Sequence, residues 1–376
     1  MPAEVGVGWP PGFAAAPQDR LALVRLSCLR GITPRGLFAL AWAEGSAGAC
    51  LKAIETGRAG SAADRTWAAE VDPNEVLGST ERCGASFLAN GDPGFPDELN
   101  DLLADPPGWL FVRGRALRAG APRVAIVGSR TCSAAGRDIA FDLGRRLAGA
   151  GVAVVSGAAN GIDAASHRGA LAAPGPTVAV LGSGIDVFYP PSKRGMLERI
   201  EAGGTIVSEY PPATAAEPHH FPARNRIIAA LAEALVVVEG AKKSGSRISV
   251  DHALDLGREV FAVPGPVTSL LSETPLELIR EGATMVRGAD DLLADLGIAA
   301  RVAVAAPPEL PDAERRAYEA LSAPALPDAI ARHAGLSIPE AVSALLGLEF
   351  RGLVRVQGGR YERRLVSSTP DAHGND

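Results

Sequence analysis

An arginine pair behind an aromatic residue is the feature of this sequence with the clearest chemistry. The segment FPARNRII (221–228) places Arg224, Asn225 and Arg226 directly after a phenylalanine and a proline. The proline favours a helix start, so the triplet falls in the first helical turn. Positive charge there is disfavoured by the helix dipole by about 0.3 kcal/mol or more, and a bound anion would offset that cost. The segment therefore indicates an anion site, and Phe221 could stack on a base.

The alternative is that these arginines form ion pairs within the protein. Glu209 and Glu239 each follow an apolar run and are the acidic residues that could neutralise such a helix start. Residue types alone leave both interpretations open.

Glycine-containing turns recur where anions bind well. VGSRT (127–131) has Gly128 at a tight turn, followed by Ser129 and Arg130. Free backbone N–H groups in such a turn favour an anion, and an arginine can donate two hydrogen bonds to one phosphate. A generic nucleotide pocket has the same features, so this turn indicates an anion without identifying it.

Three further turns, at 156–163, 182–193 and 239–253, carry polar, aromatic or basic side chains. In the first, glycine permits close approach of a bound chain. His167 and Phe188, nearby, fit core packing better than a ligand site. The residues of these turns that we expect to contact a phosphate or a base are Ser156, Gly157, Asn160, Tyr189, Lys242, Lys243, Ser244 and Arg247.

Short β-branched runs precede these turns, and amphipathic segments of about 10 to 15 residues separate the runs. This alternation predicts an α/β fold with an extended, Rossmann-like, doubly wound parallel sheet. The carboxyl ends of such strands form the ligand-binding edge of the sheet. The predicted strands are 123–128, 152–157, 177–182, 205–209, 234–240 and 259–265, with a weaker one at 283–286.

The flanking regions differ from this central pattern. The first part of the chain shows helical periodicity without strands, including a helical hairpin in which Thr33 caps a helix that begins at Pro34. This hairpin could bind DNA backbone or a partner, or simply pack. Three helical segments and a Gly-Gly turn near the end predict a winged helix. The expected organisation is a disordered tail (1–17), an N-terminal helical domain of helix-hairpin-helix type (18–110), the Rossmann-like domain (111–300), a linker (301–311), the winged-helix domain (312–365) and a second disordered tail (366–376).

Composition excludes several classes of protein. The 376 residues are 47% hydrophobic and 21% charged, with a net charge of −6, so any nucleic-acid role must depend on a local basic patch. The four cysteines are far apart and the histidines are dispersed except for His219 and His220, so we expect no disulfide, no metal site and no cofactor. No apolar run reaches the roughly 18 residues that span a bilayer, so we expect a cytoplasmic protein.

Taken in order, the turns resemble the DprA/Smf DNA-processing family. That family's successive motifs are met by VGSR (127–130), SGAANGID (156–163), GSGIDVFYP (182–190), SEYPP (208–212), FPARNRII (221–228), VVVE (236–239) with SGS (244–246), and VFAVPG (260–265). The helical N-terminal part and the winged helix also resemble the family's flanking domains. The resemblance covers nearly the whole chain.

The resemblance implies a bacterial protein without enzymatic activity that binds single-stranded DNA, forms a homodimer and loads the RecA recombinase in natural transformation or recombination. It implies DNA contacts at Arg130, Phe221, Arg224, Asn225 and Lys243. Two departures stand out. The sequence SGSRIS places Arg247 where the family has leucine, and SETPLE replaces a Gly-x-Asn motif before LIREGA (278–283).

Two other functions fit parts of the pattern. Phosphoribohydrolases of the lysine-decarboxylase-like type use a similar sheet, but the PGGxGT stretch typical of them is missing from this sequence, and no nucleophile lies beside a base at an informative spacing. A regulator could sense a nucleotide and bind duplex DNA through the winged helix, although the region from its second to its third helical segment (333–350) offers no basic recognition face.

Overall fold

The computed structural model describes the chain over residues 8–118, 120–242, 245–298, 310–321 and 324–363. It divides into two compact units, Met1–Ala300 and Arg301–Asp376.

Five helices open the first unit. Polar side chains cap four of them; Thr33 Oγ1, for example, accepts from the backbone N–H of Gly36 at 3.1 Å, as the sequence predicts. These helices are α1 (Pro17–Leu26), α2 (Pro34–Glu44), α3 (Ala47–Glu55), α4 (Ala62–Glu70) and α5 (Pro73–Arg82).

The expectation of disorder up to residue 17 is wrong for residues 8–17. The ring of Trp9 lies 4.8 Å from that of Phe13 and 5.6 Å from that of Phe38. Its indole N–H donates to the carbonyl of Pro106 at 3.1 Å. This apolar anchor orders a segment that position alone would suggest is loose.

A sheet follows whose strand order is β1-β2-β6-β5-β4-β3-β7-β8-β9. The seven strands from β6 to β9 in that order are parallel, and β3 lies where the order reverses. All predicted strands are present. In chain order the strands are β1 (Ala85–Ala89), β2 (Trp109–Gly114), β3 (Arg123–Val127), β4 (Ala153–Ser156), β5 (Thr177–Val180), β6 (Thr205–Ser208), β7 (Ala234–Val237), β8 (Glu259–Ala262) and β9 (Thr284–Met285).

Helices cover both faces of the parallel strands, so the sheet is doubly wound. Along β3, Val124 and Ile126 pack on one face, while Ala125 and Val127 pack on the other. Burial on both faces explains the continuous apolar runs. The covering helices are α6 (Ala134–Gly149), α7 (Ile162–Leu171), α8 (Arg194–Gly203), α9 (His220–Ala230), α10 (Ser246–Asp255), α11 (Glu273–Glu281) and α12 (Ala289–Asp295).

Strands β1 and β2 correct the expectation of an all-helical N-terminal part. They pair antiparallel with each other, and β2 pairs antiparallel with β6, with Phe111 opposite Ser208. The domain boundary expected at residue 110 therefore falls inside a strand of the main sheet.

The second unit contains a helical core with a hairpin, as expected for a winged helix. Leu321, Ile330, Leu345 and Leu348 are buried together in that core. Its elements are α13 (Asp312–Ala320), α14 (Pro327–Ala334), α15 (Ile338–Phe350), β10 (Val354–Gln357) and β11 (Arg360–Arg363).

Within the described ranges, no helix taken singly is long and apolar enough to cross a membrane. Helices α2 and α3 meet those criteria only as a pair, and their axes are bent by 108°.

Candidate nucleic-acid interface

A cleft opens at the carboxyl edge of the parallel strands, beside the point where the strand order reverses. Its volume is about 490 Å³, and it lies between the loop after β3, the first turn of α7, and helices α9 and α10. Ligands of doubly wound sheets bind at this position. We call it the sheet-edge cleft. The predicted residues that line it are Gly128, Ser129, Arg130, Phe221, Arg224 and Asn225.

The loop after β3 is held in place by Glu239, in the loop that follows the neighbouring strand β7. The backbone N–H of Ser129 donates to the carbonyl of Glu239 at 2.7 Å. A Cβ at Gly128 would lie 2.8 Å from that same oxygen, so a larger residue does not fit. The Glu239 carboxylate accepts from the N–H and hydroxyl of Ser133, at 2.8 and 2.5 Å. Glu239 therefore caps α6 and does not neutralise the arginines of α9.

Three exposed or half-buried side chains, Arg130, Phe221 and Tyr189, lie in a row at the mouth of the cleft. The guanidinium carbon of Arg130 lies 5.3 Å from the ring centre of Phe221, and the Tyr189 ring lies 5.8 Å from the same ring. Among the described residues, Arg130 has no carboxylate partner. Tyr189, which does not line the cleft itself, is 49% exposed. A guanidinium and flat rings together suit phosphates and bases.

The floor of the cleft carries a second positive charge, on Arg224. This side chain is buried and donates to the carbonyls of Gly157, at 2.8 Å, and Val180. Burial lowers its pKa to about 10, and the nearby carboxylate of Asp163 partly offsets that shift. Arg224 therefore stays protonated at neutral pH while serving as part of the structure.

Two predicted residues at the carboxyl end of β4, Ser156 and Gly157, support the site from beneath. The Ser156 hydroxyl donates to the carbonyl of Ile126 at 2.7 Å, and the Gly157 carbonyl accepts from Arg224. Asn160 is exposed on the same loop but does not line the cleft.

Arg226 is corrected by the structure. Its guanidinium is 2% exposed, pairs with Glu209 through two hydrogen bonds of 2.8 Å, and contacts Asp105 at 3.1 Å. For this arginine the ion-pair interpretation is the right one. From its position on α9, Arg226 faces Glu209, which follows β6, and Asp105, which precedes β2, and it does not face the cleft.

Two other predicted cations are also paired with acids. Lys242 lies 3.8 Å from Glu277, and Arg247 lies 2.9 Å from Glu281 on α11. Neither lines the sheet-edge cleft, and the acids of α11 beside them partly offset the positive charge expected there. Lys243 and Ser244 lie outside the described residues.

Sequence reasoning missed several residues that line the cleft. Ser246 and Ser249 occupy the first turn of α10, and Asp163 lies in the first turn of α7. Asp163 accepts from the N–H groups of Gly157 and Ala159 at 3.2 and 3.4 Å. A serine repeated after three residues at a helix start, behind a glycine turn, was the available signal. His167 is buried against Thr177, at 2.8 Å, and burial lowers its pKa to about 3.

Comparison with known proteins places the chain in one family. The family model described as DNA recombination-mediator protein A matches residues 86–297, and a DprA winged helix domain model matches residues 301–360.

Individual relatives show the same likeness. A relative from Mycobacterium tuberculosis is 44% identical over 250 residues, which are 64% of this chain and 64% of the relative, so the match spans just under two thirds of that protein. Protein Smf of Escherichia coli is 37% identical over 282 residues, or 70% of this chain and 74% of the relative.

Solved structures agree. The X-ray structure of DNA processing protein A from Streptococcus pneumoniae has a TM-score of 0.65 and 31% identity, covering 74% of this chain and 98% of the other. DNA processing protein A from Helicobacter pylori, whose structure concerns its single-stranded DNA binding mode, has a TM-score of 0.51 and 28% identity, covering 56% and 95%. The chain belongs to the DprA/Smf family of DNA recombination-mediator proteins.

Proposed function

We propose that this protein binds single-stranded DNA in the sheet-edge cleft as part of DNA recombination. The observation that carries the proposal is Arg130, an arginine without a carboxylate partner among the described residues, lying over Phe221 at the mouth of a cleft whose floor holds Arg224. The Helicobacter pylori relative, described by its single-stranded DNA binding mode, supports the same ligand.

The proposed contacts follow from the position of each side chain. Phosphates contact Arg130, and bases stack on Phe221 and Tyr189. Base stacking on aromatic rings contributes about 1–3 kcal/mol per base and tolerates any sequence. Asn225 lies in the cleft as a hydrogen-bonding group, and Lys243 stays a predicted contact on family motif alone.

The groups in the described part of the cleft favour binding over catalysis. The only carboxylate there, on Asp163, accepts backbone hydrogen bonds and faces a buried arginine. We therefore propose a binding protein without catalytic activity. From its family we further propose that it delivers single strands to the RecA recombinase in the cytoplasm, including in natural transformation where the host takes up DNA.

A homodimer is part of the same proposal. Val267, Leu270 and Met285 are 86, 72 and 49% exposed, and they lie in the loop after β8 and on the edge strand β9. Exposed apolar side chains and an unpaired sheet edge are both features by which a second chain can bind. Sedimentation velocity should give a dimer for the natural protein and a monomer for Leu270→Glu; an unchanged dimer would place the interface elsewhere.

The proposed ligand is tested by competition. Fluorescence anisotropy with a labelled oligothymidylate compares unlabelled single strands, duplex of equal length and mononucleotides. Single strands should compete at least about tenfold better than duplex, and affinity should fall by about 0.7 log units per phosphate contact for each tenfold rise in salt. A preference for duplex would favour the regulator, and nucleotide turnover would favour the enzyme.

A further inference from the structure

Two histidines and a glutamate form a cluster outside the sheet-edge cleft. One ligand atom from each of Glu217, His219 and His220 lies within 4.8 Å of the other two. None of these side chains lines the cleft, and none takes part in the DNA contacts proposed above.

The backbone brings these residues together. The N–H of His220 donates to the carbonyl of Glu217 at 3.0 Å, which closes a turn just before Phe221. The loop ahead of that turn is itself held, since the Asp186 carboxylate accepts from the N–H of Ala213 at 2.7 Å. The cluster therefore depends on an anchored loop, and not only on the rotamers of its side chains.

The distances suit a shared metal ion. His219 Nδ1 lies 3.5 Å from Glu217 Oε2. Two ligands of a tetrahedral zinc ion, each about 2.0–2.2 Å from the metal, lie roughly 3.4 Å apart. The His219 side chain is 72% exposed and can adjust to complete the site.

His220 has a buried nitrogen that lacks a partner. The residue is 8% exposed, and its ring stacks on Tyr210 with centres 4.0 Å apart. Among the described residues, its Nδ1 has no hydrogen-bond partner. Buried polar atoms normally have a partner, so this imidazole has unused hydrogen-bonding or metal-coordinating capacity.

The cluster opens on a separate groove of about 650 Å³ between the loop that carries it and helices α1, α2, α4 and α5. Acidic groups outnumber arginines in that groove, which favours a cation. Its acidic residues are Glu70, Asp72, Glu75, Glu217 and Glu209, the last of which is already paired with Arg226, and its arginines are Arg30 and Arg82.

We propose that Glu217, His219 and His220 bind a divalent transition-metal ion of the zinc class, with a remaining coordination position open to the groove. Two imidazoles and one carboxylate suit Zn²⁺, Co²⁺ or Ni²⁺, whereas Mg²⁺ and Ca²⁺ prefer oxygen ligands alone. The sequence did not predict this site, because two adjacent histidines do not have the spacing of a known metal-ligand motif. The turn that ends at His220 brings the third ligand, Glu217, beside them. The site does not depend on DNA binding.

The test is metal titration of the full-length protein without DNA. Bound metal is first removed with a chelator, and Zn²⁺ is then titrated by calorimetry while Co²⁺ is followed by its visible absorption. One Zn²⁺ per chain should bind, and His219→Ala and Glu217→Gln should each weaken binding by about tenfold or more. His333→Ala, which removes an exposed histidine of the second unit, is the matched control and should bind as the natural protein does.

Circular dichroism of each variant without metal separates loss of a ligand from loss of fold. Unchanged Zn²⁺ affinity in the folded His219→Ala and Glu217→Gln variants would overturn the proposal. So would the absence of a Co²⁺ spectrum with the natural protein.

Discussion

The arginines of this protein make different kinds of contact, and the residues next to them in the sequence do not show which kind each one makes. Arg130 lies over an aromatic ring, Arg224 donates to backbone carbonyls, and Arg226 pairs with carboxylates. The sequence predicted Arg224 and Arg226 in the first turn of a helix, but α9 begins at His220, so both lie in its second turn. The sequence could not predict their partners, because Asp105, 121 positions away from Arg226, reaches it only through the fold.

Phe221→Leu should weaken binding of oligothymidylate by about fivefold or more, because an aliphatic side chain keeps the bulk but loses base stacking. Anisotropy measures the loss, and the free energy of unfolding in urea should stay within about 1 kcal/mol because Phe221 is only half-buried. Phe350→Leu changes an aromatic residue of the second unit that is 87% exposed, and should bind like the natural protein. Equal affinity in both variants would remove Phe221 from the interface.

The sequence predicted helices and strands correctly where the local residue pattern alone determines them. Parallel strands such as β3 and β7 are buried on both faces, which leaves a continuous apolar run ending in glycine or a small residue. Strands β1 and β2 were missed because they lie among helices and irregular segments, and their state depends on pairing with the remote β6. The wing hairpin was predictable from its Gly-Gly turn.

Gly161→Ala should disturb the cleft through the contact between two loops. Gly161 has a φ of 78°, and a Cβ there would collide with the carbonyl oxygens of Ser129 and Arg130. We expect a loss of about 1–3 kcal/mol in unfolding free energy together with weaker DNA binding. Gly149→Ala, at the end of α6 with open space around it, is the control and should be neutral or slightly stabilising. If Gly161→Ala bound DNA normally, the loop after β3 would not need its observed position.

For the whole molecule, a net charge of −6 coexists with a cleft that holds the positive charges of Arg130 and Arg224. The sequence suggested one cationic trough built from several loops. The structure narrows this to Arg130 and Arg224 among the described residues, since Arg226, Lys242 and Arg247 are paired with acids. The sequence alone could not predict the pairing of Lys242 and Arg247, because their partners Glu277 and Glu281 lie more than 30 residues later, on α11.

Removal of residues 301–376 should leave affinity for oligothymidylate within about threefold. All described residues that line the sheet-edge cleft belong to the first unit, between Val127 and Ser249. The truncated chain should keep its cooperative melting transition, which circular dichroism records. Complete loss of DNA binding by a folded truncation would assign the interface to the second unit.

The most direct measurement for the central claim is the affinity of Arg130→Ala for oligothymidylate over a range of salt concentrations, with Arg287→Ala as the matched control. Arg287 has a side chain that is 77% exposed and pairs with Asp291, away from the cleft. We expect Arg130→Ala to bind about tenfold more weakly or worse and to lose about 0.7 from the slope of log affinity against log salt, while Arg287→Ala matches the natural protein. Unchanged affinity and slope for Arg130→Ala, or an equal loss for Arg287→Ala, would contradict the assignment of DNA binding to the sheet-edge cleft.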